Sequence, residues 1–161
     1  MSAAPTVTVS DVTGGMKVTA VNNEQAIGAK LRYTTTGVDP VSTDDEWPEA
    51  GVTLDAAGTT TFKVASFVGT SKGAVTTKAV TVVKLTAPTV TPGDNSFTIE
   101  GGDAEIEADL YYRFGSSGSW SKYTAAVAIT ETVTVQAYAK KKGYVDSDTA
   151  EQEVEYVTPE E

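Results

Sequence analysis

The acidic side chains between Glu105 and Asp109 are the ones whose spacing most resembles a catalytic arrangement. Glu105, Glu107 and Asp109 alternate with apolar residues, so a strand through this segment places all three carboxylates on one face. Paired carboxylates hydrolyse glycosides when they stand at a set separation in a cleft and have unequal environments. An exposed strand supplies neither condition, and we therefore interpret the three acids as a solvated face that discourages edge-to-edge pairing.

A second group of acids crowds one predicted loop in the first half of the chain. Its members are Asp39, Asp44, Asp45 and Glu46. Carboxylate oxygens at this density are ligands that calcium prefers. The spacing matches no EF-hand pattern, and Pro40 interrupts the run. We therefore predict a solvated loop here and no metal site.

The composition excludes several function classes. The chain contains no cysteine and no histidine, which excludes disulfides, zinc sites built from these residues, and hydrolases that need a histidine base. Of the net charge of −10, residues 86–161 carry most, with 5 basic and 14 acidic side chains against 7 and 8 in residues 1–85. Nucleic-acid binding needs a basic footprint, and no apolar run reaches the roughly 18–20 residues of a spanning helix. We predict a non-enzymatic protein without cofactors that binds no nucleic acid and does not insert into a membrane.

The elements that must position these residues come as an internal repeat. Ala4-Pro5-Thr6-Val7-Thr8 recurs as Ala87-Pro88-Thr89-Val90-Thr91, and Leu31-Arg32-Tyr33 recurs as Leu110-Tyr111-Tyr112. Further blocks match in the same order: residues 52–54 with 127–129, 62–67 with 133–138, 72–73 with 142–143, and 80–83 with 154–157. Blocks that keep their order while the gaps vary are what strands joined by variable loops produce.

Within each repeat, apolar residues recur at every second position, as in residues 132–138, which is the period of a half-buried strand. Turn residues such as Gly14-Gly15 and Gly115-Ser116-Ser117-Gly118 separate the runs. Short strands with turn signals roughly every 8–12 residues are typical of an immunoglobulin-like sandwich. We therefore predict an all-β chain of two tandem immunoglobulin-like β-sandwiches, residues 1–85 and residues 86–161, joined by a short linker without flexible residues.

One segment resembles a known domain family. Leu31-Arg32-Tyr33-Thr34-Thr35-Thr36-Gly37-Val38-Asp39-Pro40 is similar to the "IYYTTDGSDPT" segment of the chitobiase/β-hexosaminidase C-terminal type of domain. The family pattern continues with an aromatic residue, a Pro-Ile-Thr-Leu strand, and a last strand that ends in a turn. In the first repeat Trp47 and Val52-Thr53-Leu54 take the first two places. In the second repeat residues 123–139 and Lys142-Gly143-Tyr144 follow the whole continuation.

The resemblance implies a small immunoglobulin- or fibronectin-III-like sandwich with an accessory role, and it brings no catalytic residues. Two places depart from the family pattern. Gly51 and Ala126 stand where the family has the proline of its Pro-Ile-Thr-Leu strand. In the second repeat Phe114-Gly115-Ser116-Ser117-Gly118 replaces the Asp-Gly-Ser-Asp-Pro turn.

The large aromatic residues near predicted loops are the candidate ligand contacts. Aromatic rings stack on sugar rings, and the resemblance makes a glycan the ligand to consider. Trp120, between Ser119 and Ser121 after a Gly/Ser loop, is the strongest candidate for an exposed contact, and Tyr123 and Trp47 accompany it. The alternative is that Trp47 and Tyr123 close the ends of the two sandwiches and pack in or beside their cores.

Two adhesion-type sandwiches are typical of structural surface modules. The first residues, Met1-Ser2-Ala3-Ala4-Pro5, lack the basic segment and apolar stretch of a secretory signal. Assembly onto a bacteriophage particle that lysis releases needs no such signal. We therefore predict a virion surface protein, a capsid auxiliary or decoration protein whose partner is a capsid lattice. The alternative is a secreted or bacterial cell-surface accessory module that binds carbohydrate.

Overall fold

The computed structural model describes residues 3–160, and within them the chain forms fourteen β-strands and no helix. It divides into two compact units between Val83 and Lys84. The predicted fold class, all-β with two tandem immunoglobulin-like sandwiches, is confirmed. Met1 and Ser2, which open the segment inspected for a secretory signal, lie outside the described residues. Among residues 3–160 there is no helix that could span a membrane.

The first unit, hereafter unit 1, is a sandwich of two antiparallel sheets. Its strands are β1 Thr6–Val12, β2 Gly15–Val21, β3 Lys30–Thr34, β4 Val52–Leu54, β5 Gly58–Val68 and β6 Ser71–Lys84. One sheet has the order β1-β2-β4, and the other joins β3 to β5 and β5 to β6. The chain passes between the sheets after β2, β3 and β4, so residues at alternate positions of both sheets must share one core.

The second unit, hereafter unit 2, repeats this order and adds short strands. Its strands are β7 Thr89–Gly93, β8 Ser96–Glu100, β9 Asp109–Phe114, β10 Ser121–Lys122, β11 Val127–Ala128, β12 Val133–Lys140, β13 Tyr144–Val145 and β14 Ala150–Val154. The order of one sheet is β11-β8-β7 and of the other β10-β9-β12-β14. The strands β7, β8, β9, β11, β12 and β14 thus correspond to β1 to β6, and β10 widens the second sheet at the edge of β9.

The pairing registers correct the repeat alignment along one strand. Tyr33 of β3 lies opposite Val64 of β5, whereas Tyr112, its counterpart on β9, lies opposite Ala137 of β12. Val64 therefore corresponds to Ala137, and the alignment of residues 62–67 with 133–138 is displaced by two residues. A shift of two leaves each side chain on the same face of the sheet, so the alternating pattern cannot detect it.

At one pair of corresponding core positions, the two units have exchanged a phenylalanine and a valine. In unit 1, β2 provides Val18 and β5 provides Phe62, and both are 0% exposed. The corresponding strands of unit 2, β8 and β12, provide Phe97 and Val135, also 0% exposed. Protein cores are packed as densely as organic crystals. The two repeats therefore fill the same space between their sheets with the large ring carried by opposite layers.

The strand predicted through the acidic segment begins only at Asp109; before it, Glu105 lies in a turn and Glu107 in an irregular segment. The carboxylate of Asp103 accepts hydrogen bonds from the backbone N and from Oγ1 of Thr86, at 2.7 and 2.8 Å. The backbone N of Ile106 donates to the carbonyl of Asp103, and that of Ala108 donates to the carbonyl of Ile106, so these groups bond within the segment instead of along a strand ladder. The prediction that the three acids share one strand face is therefore wrong.

An aromatic platform on unit 2 as the candidate functional site

The acidic loop of unit 1 forms ion pairs with lysines of the same unit. Asp39 Oδ1 lies 2.7 Å from Lys63 Nζ, and Asp39 Oδ2 lies 3.5 Å from Lys72 Nζ. The hydrogen bond from Lys63 holds the pKa of Asp39 below its ordinary range. In the same way the hydrogen bond from Lys30, with Nζ 2.9 Å from Oε2, lowers the pKa of Glu46. The described residues contain no group of three or more His, Cys, Asp or Glu side chains placed to hold a metal ion.

Trp47 and Tyr123 occupy the same place in the two units. The backbone N of each donates a hydrogen bond to the carbonyl of the first leucine of β3 or β9, at 2.9 and 2.8 Å. The Trp47 ring meets Tyr33 edge-on at 5.0 Å between centroids, and Tyr123 meets Tyr112 edge-on at 6.5 Å. Trp47 is only 8% exposed, and Tyr123 packs half-buried against the core of unit 2. Side chains so placed stabilise the two cores and offer a ligand little surface.

Trp120 lies instead on the outer face of the four-stranded sheet of unit 2. Its ring centroid is 4.7 Å from that of Tyr138, with the planes at 80°. Tyr138 in turn stacks on Tyr111, its direct partner across β9 and β12, at 5.4 Å and 20°. Because the next residues, Tyr112 and Ala137, face the core, the alternation of a strand turns Tyr111 and Tyr138 outward. We call Tyr111, Trp120 and Tyr138 the platform.

A row of polar side chains runs across the sheet beside the platform. The Cζ of Arg113 lies 4.5 Å from the centroid of the Trp120 ring, in the range of a cation–π contact. Arg113 Nε donates to Gln136 Oε1 at 2.9 Å, and Gln136 Nε2 donates to Glu151 Oε2 at 2.7 Å. These bonds fix the orientation of the Gln136 amide. We call Arg113, Gln136 and Glu151 the polar row.

An ion pair borders the platform along β10. Lys122 Nζ lies 2.8 Å from Asp109 Oδ1. The hydrogen bond that Lys122 donates to Asp109, together with the negative charge of Asp109, raises the pKa of Lys122 above its ordinary value. Lys122 lies directly opposite Tyr111 in the ladder between β10 and β9. The platform thus has a charge pair on one side and the polar row on the other.

The two positions of unit 1 that correspond to Tyr111 and Tyr138 carry no aromatic ring. The register places Arg32 where unit 2 has Tyr111, and Ala65 where it has Tyr138; these two residues lie directly opposite each other. Lys63 likewise stands in the place of Gln136, and its charge is taken up by the acidic loop. Because unit 1 folds with the same topology and without these rings, the fold does not require the platform.

Unit 1 has an open groove of about 580 Å³ beside β3 and β4. Five threonines line it together with apolar residues and two acids: Tyr33, Val52, Leu54 and Phe62, and Asp44 and Asp45. The Asp44 carboxylate accepts a hydrogen bond from the backbone N of Val41 at 2.7 Å, and the backbone carbonyl of Asp45 accepts one from Tyr33 N at 3.1 Å. These bonds hold the loop in place, and of the two rings that line the groove Phe62 is fully buried in the core.

Trp120 could be predicted from the sequence as a contact, whereas Tyr138, Arg113 and Gln136 carry no local signal that singles them out. The alternation of residues 132–138 already puts Tyr138 on the face opposite Val135. What the sequence lacks is the register that sets Tyr138 beside Tyr111 and Gln136 beside Arg113. That register depends on the turns between strands and on the packing of the other face.

Comparisons with known proteins leave the function open. No family model and no curated protein matches the sequence. Among solved structures, the selenomethionine-substituted alpha chain of the chicken interferon gamma receptor is similar, with a TM-score of 0.35 and 7% sequence identity. The match covers 94% of this chain and 98% of that chain. A likeness at this TM-score carries no argument, so the resemblance to the chitobiase/β-hexosaminidase C-terminal type of domain stays a prediction.

Proposed function

We propose that this chain is a non-catalytic structural and adhesive module of a virion surface. One unit docks to the capsid lattice, and the other projects and makes contact with its target. The observation that supports this division is the platform, which unit 2 carries on its outer sheet face and unit 1 lacks at the corresponding positions. Large rings on a sheet face are the residues that dominate contact energies at interfaces.

The second candidate is a secreted or cell-surface accessory module that binds carbohydrate. The platform favours it because Tyr111, Trp120 and Tyr138 combine apolar rings with polar tips and lie beside fixed hydrogen-bonding groups. In this candidate the same face of unit 2 makes the contact, and unit 1 is attached to a cell surface or a secreted protein in place of the capsid.

Immunogold electron microscopy with an antibody against the purified chain separates the two candidates. Label on phage particles in lysates supports the virion assignment, and label on the envelope of intact cells supports the accessory module. Label confined to the cytoplasm before and after lysis would contradict both.

A further inference from the structure

We infer that the platform binds an uncharged polysaccharide of pyranose units and that the charge of unit 2 rejects acidic glycans. This inference rests on the proposed adhesive function and names the ligand of the same face. It draws on three properties of that face: its rings, the hydrogen-bonding capacity of the polar row, and the surrounding carboxylates.

The rings match the amphipathic surface of a pyranose. One face of such a sugar presents C–H groups, and its rim presents hydroxyls. Tyr111, Trp120 and Tyr138 are each half-buried on the sheet and held against one another, so little side-chain freedom is lost on binding. Rings held in this way offer an apolar patch with the tyrosine hydroxyls and the indole N–H at hand.

The polar row supplies donors and acceptors in fixed positions. Arg113 uses its Nε on Gln136 and has further N–H groups in its guanidinium. Glu151 accepts from Gln136 through Oε2 and has a second carboxylate oxygen. Because a sugar hydroxyl both donates and accepts, neighbouring hydroxyls can bond to an arginine N–H and to a carboxylate oxygen on the same row.

The charge of unit 2 selects against anions. Residues 86–161 hold 5 basic and 14 acidic side chains. Three cations and three carboxylates lie on this sheet face: Arg113, Lys122 and Lys140, and Asp109, Glu151 and Glu153. The face therefore has no excess of positive charge to attract an anion, and the acidic remainder of unit 2 repels an approaching uronate, sulfate or sialate group.

A proline-rich peptide is the competing occupant of an aromatic surface. Such peptides dock in grooves lined by aromatic residues. Here Tyr111 and Tyr138 stack on each other, 5.4 Å apart, and Trp120 closes on Tyr138 at 4.7 Å, so the rings form one patch with no groove between them. The observations favour the sugar.

The test is affinity gel electrophoresis of the full chain, in gels that contain neutral polysaccharides (a mannan, a mixed-linkage glucan, a galactan and a xylan) or acidic ones (alginate and heparin). A proline-rich peptide is titrated separately. We expect at least one neutral polysaccharide to retard the chain, and the retardation should be unchanged in about 0.5 M NaCl, which screens charges more strongly than physiological salt. Trp120→Ala and Tyr138→Thr should each raise the dissociation constant by about tenfold or more.

Matched variants separate ring chemistry from folding. Tyr138→Phe keeps the ring and should keep most of the affinity, and Thr134→Ala, on the same face of β12 but outside the platform, should change nothing. Thermal unfolding of each variant identifies any that fail to fold, and Tyr138→Phe against Tyr138→Thr then decides the question. Retardation by acidic glycans alone, binding of the peptide alone, or neutral binding that survives both ring removals would overturn the inference.

A different result bears on the proposed function itself. If the chain attaches to intact cells, and Trp120→Ala abolishes the attachment while all polysaccharides fail to bind, the ligand inference falls and the adhesive function stands. If the chain attaches and the ring variants attach equally well, the proposed function of this face falls as well.

Discussion

Exchanging the two buried core residues of unit 1 should reproduce the packing that unit 2 already uses. The perturbation is Val18→Phe, Phe62→Val, and the two together. Both side chains are 0% exposed and belong to one core cluster, and unit 2 holds phenylalanine and valine in the opposite order at Phe97 and Val135. The double variant therefore restores a combination that this topology accommodates.

The magnitudes follow from volume. Phe62→Val empties part of a fully enclosed site and should cost about 2–4 kcal/mol. Val18→Phe overfills the same core and should cost about 1–3 kcal/mol. If the two changes were independent, the double variant would lose the sum of these amounts. Because the new ring takes up the space the old one leaves, we expect the double variant to lose only about 1–2 kcal/mol, a coupling of about 2–5 kcal/mol.

The assay is urea unfolding followed by tryptophan fluorescence in a Trp120→Phe background, in which Trp47 in the core of unit 1 is the remaining tryptophan. The midpoint and slope of this transition then report unit 1. The control pair is Phe62→Val with Val135→Phe, which removes volume from the core of unit 1 and adds it to the core of unit 2. Its two effects on the unfolding free energy of unit 1 should show no coupling. Additive losses in the Val18/Phe62 double variant would refute the assignment of these positions to a shared core.

Three further predictions address turns, pH and the platform. Gly51→Ala should destabilise unit 1 more than Gly14→Ala, and urea unfolding measures the difference. Both glycines have φ of +78°, but a Cβ at Gly51 would lie 2.5 Å from a β2 carbonyl oxygen, whereas a Cβ at Gly14 would meet nothing within 4 Å. Because Lys63 lowers the pKa of Asp39, the ion pair stabilises unit 1 above the ordinary carboxyl pKa of about 3.9, and this stabilisation is lost as pH falls through the lower pKa of the folded state. Lys63→Met should therefore make the free energy of unfolding of unit 1 fall less steeply below about pH 4. The same pH dependence of unfolding in the variant and the parent would argue against the pair. Tyr138→Thr should cost unit 2 only about 0.2–1 kcal/mol, the range of a cross-strand pair, and a larger loss in thermal unfolding would mean that the ring supports the fold.

The sequence predicted the fold class because its signals are local. Alternation places Val80 and Val82 on the buried face, and the turn before Tyr144 uses Gly143 at a φ of +87°. Where a signal depends on distant parts of the chain, prediction failed. The acids at Glu105 and Glu107 alternate like a strand, but the Asp103 carboxylate bonds with Thr86 and the segment turns.

The candidate site was predicted only in part, for the same physical reason. Trp120 could be named because a Gly/Ser loop before an aromatic residue indicates exposure. Trp47 and Tyr123 share its residue class, yet both pack at the same core position, and only the backbone bond to β3 or β9 shows it. Tyr138 joins the site through a register that no single strand specifies.

Amide hydrogen exchange of the full chain, measured with and without the particles, cells or polysaccharide that it binds, shows whether the outer sheet face of unit 2 makes the contact with the target. We predict slower exchange on binding in β9, β10 and β12, around Tyr111, Trp120 and Tyr138, with β3 and β5 of unit 1 unaffected by the same ligand. Protection confined to the β3 and β5 face, around Arg32 and Ala65, would contradict it.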